Sequence, residues 1–122
     1  MQDDLCLLGE CFSNLLVGVG RYRRGELLSA RQSITVSALG SLLRLIAKHY
    51  PCEHSVILDN LDPLRRFEFA YPKYAADIDK LLRLELDKAA IGLLDFADRL
   101  LRDSISDYPY QAFEIVRKQA SK

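Results

Sequence analysis

Apolar residues in this chain recur every three or four positions, and only a few glycines and prolines interrupt that rhythm. A period near 3.6 puts such residues on one face of a helix, so the chain can close only by packing helix against helix. Leu5, Leu8, Phe12, Leu15, Val19 and Tyr22 form the first stripe. It ends in Arg21, Arg23 and Arg24, then Gly25. Cations in a last turn meet the negative end of the helix dipole, and a following glycine accepts a left-handed backbone. Glu26 falls in the first turn of the next helix, and so short a link predicts an antiparallel pair.

The second stripe, Leu27, Ile34, Ala38, Leu42 and Leu45, predicts a long helix reaching His49 or Tyr50 before Pro51 stops it. Residues 51–62 have no sustained period and read as a connection, with Ser55 to Leu58 the only strand-like alternation. Asp62 followed by Pro63 reads as the N-cap and first position of a short helix that Pro72 cuts. Tyr74, Ile78, Leu81 and Leu82 mark a fourth helix from Pro72. Asp87 suits the cap of a fifth, with stripe Ala90, Leu93, Leu94, Ala97, Leu100 and Leu101. Spacing alone leaves residues 73–103 as one bent helix or two. Ser106 and Asp107 ahead of Pro109 open a last helix carrying Tyr110, Phe113 and Val116. The expected fold is one all-α domain over residues 1–122, an up-and-down bundle of four main helices plus one or two short ones.

Composition narrows the function classes. A chain of 122 residues, 49% apolar and 28% charged, has ordinary globular composition for one domain. Lys plus Arg and Asp plus Glu are 17 each, so the net charge is zero and the attraction used to hold nucleic acid is missing. Asp3, Asp4 and Glu10 argue against a secretory leader, and no run approaches the roughly 20 apolar residues that span a bilayer. Three cysteines leave at least one unpaired, which suits a reducing compartment, so a cytoplasmic location is expected. Cys6 and Cys11, five apart on a helix, are expected to be buried small hydrophobes.

Two stretches carry a resemblance. FSNLLVGVGRYRRGELLSARQS (Phe12 to Ser33) resembles the opening helix pair of the C-terminal domain of lincosamide and related antibiotic nucleotidyltransferases. LDPLRRFEFAYPKYAADIDKLLRLELDKAAIGLLDFADRLLRD (Leu61 to Asp103) is similar to that domain in layout, a short aromatic-acidic helix ahead of a long amphipathic hairpin. The likeness covers about residues 8 to 105. It implies a helical substrate-binding domain or subunit that positions a small-molecule acceptor, with homodimers through an apolar helical face. It also implies a separate catalytic domain or subunit, where a Gly-Ser turn and paired aspartates hold magnesium and a nucleoside triphosphate. Asp59 and Asp62 do not reproduce that pair, being three apart in a loop without glycine. No cofactor is therefore expected on this chain, which is not expected to be catalytic alone.

Within that reading, Arg21, Arg23, Arg24 and Glu26 are candidates to face the ligand. Arginine matches anionic oxygens with a two-pronged donor set, and a carboxylate accepts from a hydroxyl or amine. The plainer explanation is helix-end electrostatics, about 0.3–1 kcal/mol per charge. Asp62, Arg65, Arg66, Glu68 and Tyr71 form a second candidate set on a short helix that only packing can hold. There the plainer explanation is that Phe67 or Phe69 anchors the helix while the charges face water. A pocket joining the 23–26 turn to the 65–71 helix would favour ligand binding, and its absence a structural interaction module.

Arg44 and His49 suggest another class. Arg-x-x-x-x-His followed by Tyr50 resembles the motif of HEPN ribonucleases, in which histidine handles a proton and arginine stabilises phosphate. Five helical steps turn through about 140°, however, so the two side chains do not share a face of an unbroken helix. His49 continues the Leu42 stripe and suits a packing role. Cys52, His49 and His54 carry ligand-type atoms, but no second Cys/His pair completes a zinc site, and no metal is expected.

Overall fold

A computed structural model describes residues 3–52, 57–58 and 62–122. Its first helix, α1 (Asp4–Arg23), is capped by Asp3, whose carboxylate accepts from the Cys6 backbone N–H at 2.7 Å. Gly25 takes φ +82°, a left-handed conformation that glycine adopts without steric cost, and turns the chain back. Glu26 N–H donates to Arg21 O at 2.9 Å and closes that turn.

The return helix comes in three stretches: α2 (Leu27–Gln32), a π-helical stretch (Ser33–Ala38) and α3 (Leu39–His49). Backbone at the junctions stays right-handed helical, φ −59° and ψ −43° at Ser33, φ −61° and ψ −41° at Leu39, so they run as one rod over residues 27–49. The widened turn has local and tertiary causes. Thr35 Oγ1 donates to Arg31 O at 2.7 Å, giving that carbonyl a side-chain partner. Opposite, α1 presents Gly18, where a Cβ would lie only 2.4 Å from Ile34 Cγ1. The wide turn and the missing side chain let the two helices approach closely.

After residues 50–66 come α4 (Phe67–Ala70), α5 (Pro72–Leu82), α6 (Leu86–Leu101) and α7 (Tyr110–Ala120). The expected all-helical bundle is found, and among the described residues there is no strand. α1 lies centrally, against the 27–49 rod, α6 and α7. Leu8, Leu15, Val19, Ile34, Leu42, Leu45, Ile46, Leu93, Leu94 and Leu101 are fully buried between them.

Several local expectations are corrected. Leu5 and Leu27 are exposed, because Leu7 and Cys11, and then Ala30 and Ile34, set the inward direction. Cys11 is buried, which pushes its thiol up to about 12, whereas Cys6 is exposed. Asp62 caps a turn rather than a helix: its carboxylate accepts from Leu64 N–H at 3.1 Å. Arg66 then takes φ 65°, outside the helical region, so α4 starts only at Phe67. Residues 73–103 are two helices, broken at Arg83–Glu85. α6 accordingly starts from Glu85, with Asp87 inside its first turn, and α7 starts from Pro109 rather than Ser106 or Asp107. Residues 55 and 56 of the strand-like stretch, together with Asp59 and His54, lie outside the described residues.

Candidate functional site

The two tight turns, residues 24–26 and 83–85, come together at one end of the bundle. Tyr22, in the last turn of α1, donates its hydroxyl to Glu85 Oε2 at 2.9 Å across 63 residues of chain. Beside this bridge is an open hollow of about 660 Å³. One wall is Tyr22, Arg23, Leu27 and Arg31, and the other is the run Leu82 to Leu86. Its size suits a small molecule, and its lining mixes polar groups with the leucine side chains of both walls.

The three arginines in the hollow differ in what they already hold. Arg23 donates to Gln119 O at 3.3 Å and to Ala120 O at 2.7 Å, joining the end of α1 to the last carbonyls of α7. Arg83 is clasped by Asp79, its Nη2 2.9 Å from Oδ2. Arg31 is exposed, and its guanidinium makes no hydrogen bond or ion pair with a described residue. The Tyr22 hydroxyl is held above its usual range by donating to Glu85, then by burial and by the negative charge of Glu85 and Asp87.

Of the candidate ligand-facing residues named from the sequence, Arg23 alone lines this hollow. Arg21 points into the hairpin and donates to Ser33 Oγ at 3.0 Å. Arg24 and Glu26 pair with each other at 2.8 Å on the exposed outside of the turn, which holds the Glu26 carboxyl below its ordinary value. Arg65, Arg66 and Glu68 are exposed around α4. Tyr71 is buried, stacked on Phe67 at 4.9 Å and on Tyr74 at 6.1 Å between ring centres. The hollow joins the 24–26 turn to the 83–85 turn and not to the 65–71 helix, the arrangement set out above as favouring a structural interaction module. Arg83 and Glu85 are not legible from spacing, which does not reveal the break between α5 and α6, and it is that break that turns Glu85 toward Tyr22 and gives Arg31 on α2 a facing wall.

Arg44 and His49 are on α3, Arg44 exposed and His49 half-buried. His49 Nε2 lies 2.9 Å from Asp4 Oδ1, and Lys48 Nζ reaches the same oxygen at 2.8 Å. This triplet ties the start of α1 to the end of α3, each charge set against the opposite pole of a helix dipole. Cys52 donates to Ala70 O at 3.3 Å, and among the described residues no three His, Cys, Asp or Glu converge to hold a metal ion. None of the described helices is long and apolar enough to cross a membrane.

No protein-family model, no curated protein and no solved structure matches this chain.

Proposed function

We propose that this chain is a helical ligand-binding module of the nucleotidyltransferase substrate-binding kind. It would hold a small polar acceptor in the hollow between the 24–26 and 83–85 turns, beside a catalytic domain or subunit carrying magnesium and nucleotide. The hollow spanned by the Tyr22–Glu85 bridge is the observation that carries this reading. It joins hydrogen-bonding groups and apolar surface on two walls supplied by different hairpins, so a bound molecule touches both at once. Holding an acceptor hydroxyl in one orientation lowers the entropic part of a transfer barrier, the contribution a module without catalytic groups can make. The likeness of Phe12 to Ser33 and of Leu61 to Asp103 to antibiotic nucleotidyltransferases supports the same class.

The test is a titration of the isotopically labelled chain with a lincosamide and with an aminoglycoside, followed by amide NMR. Saturable shifts at Arg31, Leu84 and Glu85 are expected with at least one of them. Shifts confined to other faces, or none, would overturn the assignment. Nucleotide transfer by the purified chain alone would overturn the need for a catalytic partner.

A further inference from the structure

One wall of the hollow carries Arg23 and Arg31, and the facing wall carries Glu85 together with Arg83, which Asp79 clasps; these groups are in unequal states of use, and this limits the ligands the hollow can take. On the α1–α2 side, Arg31 presents a guanidinium that no described residue engages, whereas Arg23 is committed to the end of α7. On the facing side, Glu85 gives one carboxylate oxygen to the Tyr22 hydroxyl and leaves Oε1 with no hydrogen bond to a described residue. Leu27 and Leu84, 52% and 47% exposed, offer apolar surface on the respective walls. Other carboxylates are close by: Asp79 beside Arg83, and Asp87 near enough to raise the Tyr22 hydroxyl.

We infer that the hollow selects a zwitterionic small molecule, its carboxylate or phosphate on Arg31, its amine on Glu85 and an apolar body across Leu27 and Leu84. A guanidinium with five donors takes an anionic oxygen pair in a two-pronged fashion, and a carboxylate oxygen is the natural acceptor for an ammonium. A purely anionic ligand would satisfy Arg31 and meet Arg23 and Arg83, whose donors are already engaged, but would set its charge against Glu85 and leave Oε1 unanswered. A purely cationic one would leave Arg31 unanswered. The inference rests on the binding-module reading and narrows its ligand to molecules with an anionic group as well as an amine, which lincosamides and aminoglycosides lack.

Three probes of equal carbon-chain length isolate the charges: ω-aminohexanoate, hexanoate and hexylamine. Each is titrated into the labelled intact chain while the Arg31, Leu84 and Glu85 amides are followed. The zwitterion is expected to bind about tenfold more tightly than either control, the worth of one charge-assisted hydrogen bond. Arg31→Gln should reduce ω-aminohexanoate to the affinity of hexylamine, and Glu85→Gln should reduce it to that of hexanoate. Both positions are exposed, and an unchanged far-ultraviolet circular dichroism spectrum confirms the fold. Equal affinity for the three probes, tighter binding of ATP than of the zwitterion, or insensitivity to both substitutions overturns the inference. If the antibiotics shift the groove amides while the zwitterion gains nothing over its controls, ligand selection fails and the binding module stands. If no molecule shifts those amides, both fall.

Discussion

Tyr108 and Tyr22 each donate a hydroxyl to a carboxylate, Tyr108 to Asp98 Oδ1 at 2.7 Å and Tyr22 to Glu85 Oε2 at 2.9 Å. Their surroundings make these two pairs different devices. Tyr108 is 4% exposed, and Asp98 is also gripped by two guanidinium nitrogens of Arg102. That guanidinium lies over the rings of Tyr108, Tyr110 and Phe113, at 4.8 to 5.6 Å from their centres. Phe12 closes the cluster edge-on to Tyr108 at 6.4 Å. There the Tyr108 hydroxyl and the Asp98 carboxylate each meet a partner from the chain itself, as their burial demands. Tyr22 and Glu85 instead border an open hollow, where water or a ligand can take over the bond at little cost. The same chemical pair locks the α6–α7 junction and leaves the opposite turns available for binding.

The largest test of this contrast is packing. Phe113→Ala, inside the closed cluster, should cost about 3 kcal/mol of stability in urea unfolding, as large-to-small core substitutions do. Leu84→Ala, on the hollow, should leave the urea midpoint where it is, and equal losses at the two sites would break the comparison. Next comes the hydroxyl itself. Tyr108→Phe should cost about 1 kcal/mol, the net value of a buried hydrogen bond. Tyr22→Phe should leave the calorimetric midpoint unmoved while altering the groove's response to ω-aminohexanoate, and the reverse order would assign the two pairs the wrong way round.

Alkaline titration sharpens the same point. Tyr108 is raised first by burial and then by its bond to Asp98, and Tyr22 first by its bond to Glu85. A tyrosine whose folded pKa exceeds its unfolded value of about 10 contributes stability below that pH and loses it as pH rises further. Tyrosinate absorbance should therefore show Tyr22 ionising reversibly above the ordinary range in the folded chain, and Tyr108 only with unfolding. A Tyr108 step ahead of unfolding would break the distinction. The smallest effect is expected at Asp4, held below 3.8 by the Lys48 hydrogen bond against the opposing effect of burial, with His49 assisting. A depressed carboxylate contributes stability above its unfolded pKa and loses it as pH falls through the folded one. Asp4→Asn should thus lower the melting temperature slightly near neutrality and make no difference at the acid extreme, where a constant gap would rule out this ion pair as the cause.

Particular residues show how far the sequence could be read. The first hairpin was legible because Arg21, Arg23 and Gly25 stop a helix by local chemistry, dipole and left-handed backbone, which act within one turn. The Pro72 start of α5 was legible for the same reason. The π-helical stretch was hidden, since its cause is shared between the Thr35 hydroxyl and a glycine on another helix. Arg23 was read as facing a ligand, yet it lines the hollow while its guanidinium closes the end of α7, 96 residues away. Tyr71 looked like a polar site residue and is packed between rings.

Periodicity and stop signals by themselves determined that the chain is helical and that it turns back at Gly25, because both act between residues three or four apart. Which turns became neighbours was decided only in three dimensions. The side-by-side placement of the α1–α2 and α5–α6 turns follows from how the buried leucines of α1, the 27–49 rod and α6 interlock. Tyr22 finds Glu85, and the hollow opens beside them, as a consequence of that packing, which no local pattern encodes.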